Sequence, residues 1–151
     1  MGRRVAWSGV ELIMESSTPA DSIYQIFISD QNGDPPDMLH AAIASVQQCF
    51  SPYRYIQHNG KSLRAFITQH FDRDVVAAYD KLRPFAYKAD LGRYCLLYQT
   101  GGWYADISIL MKQPVGPVGP EVELVYFSDL GDGVTPGRSL FDVSNSLLYA
   151  K

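Results

Sequence analysis

The chain has 151 residues, 46% of them hydrophobic and 19% charged, which suits one packed domain and excludes a disordered polymer. A formal net charge of -3 gives no basic surface for a phosphate backbone, so no nucleic-acid partner is expected. No apolar run approaches bilayer length, and the opening residues, broken by Glu11 and Glu15, lack a signal-peptide pattern, so a cytoplasmic protein without a transmembrane segment is expected.

Residues 1–20 read as a lead-in segment. The run Ile23-Tyr24-Gln25-Ile26-Phe27-Ile28 is rich in strand-forming residues and ends in the polar stretch 29–34, so it reads as a strand feeding a loop. Pro36 suits a first helical turn, and Asp37 beside it suits the positive end of the helix dipole. Leu39, Ile43, Val46 and Phe50 then recur at helical spacing until Ser51-Pro52. Residues 53–57 are short and strand-prone, and Asn59-Gly60 reads as a turn. Leu63, Phe66 and Ile67 mark a short helix, and residues 72–82 another.

The clearest helix begins after Pro84 and runs to Thr100, where Gly101-Gly102 supplies a strong stop. Trp103-Tyr104-Ala105 opens a strand predicted to run to Leu110, with Asp106 and Ser108 sharing one side. Leu91, Cys95, Leu96, Ile107 and Ile109 are expected in the core. Residues 113–120 carry three prolines and two glycines and form a surface loop. Residues 122–127 read as a strand, 129–137 as a Gly-rich loop, and 141–149 as a last strand or buried segment. Helices alternating with strands predict an α/β fold with a largely parallel sheet.

Cys49 and Cys95 have neither C-x-x-C nor zinc spacing and read as buried free thiols. His40, His58 and His70 share no ligand spacing. The chemistry-bearing cluster is Asp90, Arg93 and Asp106. The first two are three residues apart on one helical face. Asp106 lies just past a helix-to-strand turn, where α/β sheets gather ligands. Read as structure alone, Asp90 and Arg93 are a local ion pair worth a few tenths of a kcal/mol. Read as chemistry, the three make a polar corner able to hold sugar hydroxyls, a divalent ion and a phosphate.

The run over 85–108, FAYKADLGRYCLLYQTGGWYADIS, resembles the glycosyltransferases that share a DXD-containing sugar-binding region. These include yeast-type initiating α-mannosyltransferases, capsular-polysaccharide sugar transferases and clostridial glucosylating toxins. The matching positions are Asp90, Arg93-Tyr94, Leu97-Tyr98, Gly101-Gly102, Trp103-Tyr104 and Asp106-Ile107-Ser108. Upstream, Tyr24-Gln25-Ile26-Phe27 resembles the family's first strand, usually His-Gln-x-Trp.

The resemblance implies a GT-A-type, Rossmann-like nucleotide-diphospho-sugar transferase fold, with residues 21–151 as its N-terminal donor-binding part, truncated at the C-terminus. It implies transfer from a UDP- or GDP-sugar to a glycan or other hydroxyl acceptor, with retention of configuration, as in polysaccharide biosynthesis, and with Mn²⁺ or Mg²⁺. Asp90, Arg93 and Asp106 would act on the donor sugar and its diphosphate. Phe27 would stack on the base, and Tyr104 would join the donor site. Asp106 and Ser108 would face the metal, and Asn145 resembles an acceptor-side asparagine.

Two positions depart from the pattern. Ser108 replaces the second Asp of the metal motif, and a neutral hydroxyl is a poorer ligand for a hard cation. Tyr24 replaces the usual histidine. A degenerate nucleotide-sugar-binding protein without transfer activity, and a structural or interaction domain, are the competing readings.

Overall fold

The computed structural model describes residues 22–130 and 141–151. The expected lead-in over 1–20 and most of the stretch 129–137 lie outside the described residues. The elements run β1 (Ser22–Ile26), α1 (Asp37–Cys49), β2 (Arg54–His58), α2 (Gly60–His70), α3 (Arg73–Lys81), α4 (Phe85–Thr100), β3 (Gly102–Ala105), β4 (Leu124–Leu130) and β5 (Phe141–Ala150).

Local chemistry accounts for the helix boundaries. Asn59 is the N-cap of α2, and its side chain accepts from the Ser62 amide while Ser62 answers the Asn59 amide. The predicted turn at Asn59-Gly60 is therefore a helix start. Asp72 caps α3 through the amides of Asp74 and Val75. At the end of α4, Gly101 and Gly102 hold φ of 64° and 100°, a region that disfavours residues with a Cβ.

The five strands lie in the order β2-β1-β3-β5-β4. β1 pairs in parallel with β2 and β3, whereas β5 is antiparallel to both β3 and β4. The sheet is thus mixed rather than largely parallel. Only the stretch 131–140 separates β4 from β5, less than the dozen or so residues a parallel crossover needs.

Alternating residues of the central strands feed two cores. On one face Tyr24, Ile26, Tyr104 and Leu148 pack with Leu63 and Ile67 of α2, Tyr79 of α3, and Cys95, Leu96 and Leu97 of α4. On the other, Ile23, Trp103, Ala105, Leu147 and Tyr149 pack with Val46 of α1 and Phe50 just beyond it. The two free cysteines are both buried, as expected. Burial on both faces is why β1 and β3 read as continuous apolar runs.

Three expectations need correction. β3 ends at Ala105, not Leu110, and the chain turns, the Ile109 amide donating to the Asp106 carbonyl at 3.1 Å. Ile107 and Ile109 are half-buried there, as is Leu91, while Cys95 and Leu96 are buried. β4 reaches Leu130, so Asp129 and Leu130 belong to a strand and not to the loop expected from Asp129.

Gly92 sets how closely α4 approaches α2. A Cβ there would lie 2.5 Å from Cδ2 of Leu63, a fully buried side chain. Alanine gains roughly 1 kcal/mol of helix propensity over glycine, but overpacking a filled core costs about 1–3 kcal/mol. Gly92→Ala is expected to lower unfolding stability by a net amount of up to about 2 kcal/mol in urea melts. A stabilised variant would mean that α2 yields freely.

Candidate functional site

The strand order places a crevice where the fold predicts one. From β1 the chain crosses through α1 to β2 on one side. It returns through α2, α3 and α4 to β3 on the other. The carboxyl ends of β1 and β3 therefore diverge at a topological switch point, where open α/β sheets bind ligands. A cavity of about 250 Å³ opens there. It is lined by Ile26 at the end of β1 and Phe27 and Ile28 just after it, by Tyr104, Asp106, Ile107 and Ser108 around the end of β3, and by Phe85, Ala86, Ala89 and Arg93 of α4. Ligand pockets usually measure about 300–1,000 Å³, so this one suits a portion of a ligand.

Arg93 is the centre of the site. Its side chain is only 5% exposed. Nη2 donates to Asp90 Oδ1 and lies 3.2 Å from Asp106 Oδ1, while Nη1 donates to the Asn145 carbonyl. The guanidinium also sits over the Tyr104 ring, 4.8 Å from its centroid. Its Nε is buried with no hydrogen-bond partner among the described residues.

The Asn145 carbonyl is free for Arg93 because the β4–β5 register shifts. Tyr126 faces Leu148, but Phe127 faces Ser144, so residues 145–147 have no partner on β4. Asn145 thus contributes its main chain, and its residue is exposed. On the other edge of β5 the Ser146 carbonyl accepts from the Asp106 amide at 2.7 Å, continuing the β3–β5 ladder by one rung.

Asp106 is held from several sides. The Tyr104 hydroxyl donates to its Oδ1 at 2.8 Å. Burial first, and then the Asp106 charge, push the Tyr104 hydroxyl far above the ordinary phenol range, so it remains a donor. The first turn of α4 borders the cavity, and Pro84 provides no side-chain cap. Its open amides and dipole favour an anion at that end.

Of the residues singled out from sequence, Phe27, Arg93, Tyr104, Asp106 and Ser108 line the one cavity, and Asp90 joins them through Arg93. Asp106 and Ser108 share it because of a turn, not because of strand alternation, and Ser108 is exposed. Among the described residues no group of three or more His, Cys, Asp or Glu is placed to hold a metal. Tyr94 and Tyr98, from the same motif, are 52% and 84% exposed and line no part of the cavity. Lys88 is engaged with the Tyr79 carbonyl at 2.8 Å. Gln25 belongs to the first-strand match over residues 24–27 but receives no site role from sequence. It is fully buried, and its Nε2 donates to the Asp106 carbonyl at 3.1 Å. The signal was a polar side chain in the middle of an apolar strand.

An open α/β sheet with a buried arginine and a carboxylate at its switch point defines a domain suited to phosphorylated ligands. The chain belongs to the family described as glycosyltransferase sugar-binding region containing DXD motif, whose profile matches residues 21–125. The mixed sheet with flanking helices is consistent with the GT-A-like Rossmann fold. An uncharacterized glycosyltransferase of Acanthamoeba polyphaga mimivirus is 33% identical over 54 residues, covering 36% of this chain and 22% of that protein. The chain thus matches less than a quarter of that relative's length. No solved structure matches. No helix among the described residues is long and apolar enough to cross a membrane.

Proposed function

We propose that residues 21–151 are the donor-binding part of a cytoplasmic glycosyltransferase. It would move a sugar from a UDP- or GDP-linked donor to a hydroxyl of a glycan or other acceptor, with retention of configuration. The observation that carries this reading is the buried Arg93, which lines the switch-point cavity beside Asp106 and is held there by Asp90 and the Asn145 carbonyl.

Cleaving a sugar–phosphate bond builds negative charge on the leaving diphosphate. Arg93 and the open first turn of α4 are the groups that would take it up, in a site already partly shielded from water. Asp90 and Asp106 flank the guanidinium and would orient sugar hydroxyls while stabilising an oxocarbenium-like ring. Phe27, half-buried at the cavity edge, would offer its ring to the base. Hard cations such as Mg²⁺ often rest on one or two carboxylates plus substrate phosphates. Asp106 and the Ser108 hydroxyl are what this chain offers an ion that arrives on the diphosphate, where it would supply further charge neutralisation.

The exposed Ser108 favours a second reading, a binder of nucleotide sugars that does not transfer them. Calorimetric titration with UDP and GDP, with and without Mn²⁺, separates these outcomes when run on wild type and Ser108→Asp. Wild type is expected to bind one nucleotide with weak dependence on Mn²⁺. Ser108→Asp adds a carboxylate on the same cavity. Repulsion from Asp106 opposes this in the metal-free protein, but millimolar Mn²⁺ should outweigh it. A gain of about tenfold in Mn²⁺-dependent affinity is expected. If wild type binds neither nucleotide under any condition, the donor-binding reading fails. Binding without turnover of the nucleotide sugar would favour the non-catalytic binder.

A further inference from the structure

β3 ends at Ala105, whose ladder partner is Leu147, and the Asp106 amide takes one more rung of that ladder, on Ser146, before the chain turns away and the pairing stops. Yet the Asp106 carboxylate must point at Arg93 and the cavity. What orients it is visible in its main chain. The amide donates to Ser146 of β5, and the carbonyl accepts from Ile109 and from the Gln25 side chain.

Gln25 lies in the middle of the buried strand β1, and its register partner on β2 is Gln57. Burying an amide is costly unless both its ends are satisfied. Here both are. Nε2 donates to Asp106, and Oε1 accepts from the Tyr55 hydroxyl at 2.9 Å. That hydroxyl has a single proton and lies a little farther, 3.1 Å, from Gln57 Oε1. Burial pushes Tyr55 up to about 12, so it keeps that proton at neutral pH. With Tyr55 donating to one end of the amide, the other end must be the NH₂ that faces Asp106. A methionine would fill the same space without desolvating an amide. What the amide adds is direction.

We propose that Gln25 is a positioning residue, oriented by Tyr55, that fixes the Asp106 main chain and so aims its carboxylate at the donor. The proposal rests on the donor-binding reading for its consequence, but not for its geometry. Two measurements separate them.

The first needs no ligand. In native-state amide exchange, Gln25→Met should lower protection at Asp106 and Ile109 by about threefold to tenfold relative to Leu96 and Ile67. Unchanged relative protection there would overturn the proposal. The second uses UDP or GDP, whichever wild type binds. Gln25→Met should weaken affinity by about threefold to tenfold in the wild-type background and add almost nothing in Asp106→Ala. Equal losses in both backgrounds would show that Gln25 does not act through Asp106 and would overturn the proposal. Tyr55→Phe, which leaves the strand packing intact, should shift both readouts in the same direction by less. It also carries the test if Gln25→Met fails to fold, when a Tyr55→Phe protein indistinguishable from wild type in both readouts would overturn the proposal. Absence of nucleotide binding by wild type would retire the donor reading and leave the exchange result to decide the geometry.

Discussion

Arg93→Met is expected to weaken nucleoside-diphosphate binding by about 10- to 100-fold, because a charge-assisted hydrogen bond in a shielded site is worth about 1.5–3 kcal/mol. The guanidinium is the one group that joins Asp90, Asp106, the Asn145 carbonyl and the cavity. Its loss also affects folding, but by less than for a fully buried pair. Stranding a buried charge costs about 3–5 kcal/mol, whereas exposed pairs contribute about 0–1. Asp90 and Asp106 retain 41% and 33% of their side-chain exposure and can rehydrate. A stability loss of about 1–3 kcal/mol is expected after that discount for solvent. Calorimetry with UDP and GDP, run at a temperature where the variant remains folded, separates the two effects. Arg93→Lys should fall between, since one ammonium cannot serve a planar fork of acceptors and still present an Nε–H. Wild-type affinity in Arg93→Met would remove the arginine from the binding site.

Trp103→Ala is expected to be the most destabilising single change, at about 3–5 kcal/mol. Trp103 is 2% exposed at the centre of the sheet. It meets Phe50 edge-on at 5.3 Å and Tyr149 at 5.2 Å between ring centroids, so truncation empties the core on the α1 face. A small domain holds only about 5–15 kcal/mol in total, so the variant should melt at much lower urea. Trp103→Phe provides the control. It loses part of the ring but also removes an indole N–H that has no partner among the described residues. Its cost should stay below about 2 kcal/mol. Similar urea midpoints for the Ala variant and wild type would contradict this placement.

These two residues also divide what was legible in the amino-acid sequence from what was not. The span of α4, its stop at Gly101-Gly102 and the entry of Trp103 into the sheet followed from periodicity and from the backbone freedom of glycine. So did the strand at Ile23–Ile26 and the capped helices that follow β2, although the cap at Asn59 passed for a turn. Such features are local: a few adjacent side chains and their own main chain decide them. The motif from Asp90 to Ser108 likewise pointed to one polar corner, because residues within a helix, a tight stop and a short strand cannot separate far.

Only the tertiary structure decided the rest, since it turns on partners distant in the chain. The insertion of β5 between β3 and β4 is a choice among strand pairings that no local pattern records. The register shift at residues 145–147 is part of that choice, and it frees the carbonyl that Arg93 takes. From its neighbours alone, Arg93 is half of a surface ion pair. Packing between α4 and β5 makes it a buried hub, and a neutral main-chain carbonyl left out of the β4–β5 ladder becomes its third partner. The end of β3 at Ala105 moved Asp106 and Ser108 from a strand face onto a turn. Gln25, a polar side chain within an apolar run, finds its partners in Tyr55 and Asp106, residues 30 and 81 positions away. Sequence determines which groups are available and which segments are stiff. Which acceptor each buried donor meets is set by long-range packing, where leaving a polar group unpaired costs more than the local preferences that would place it elsewhere.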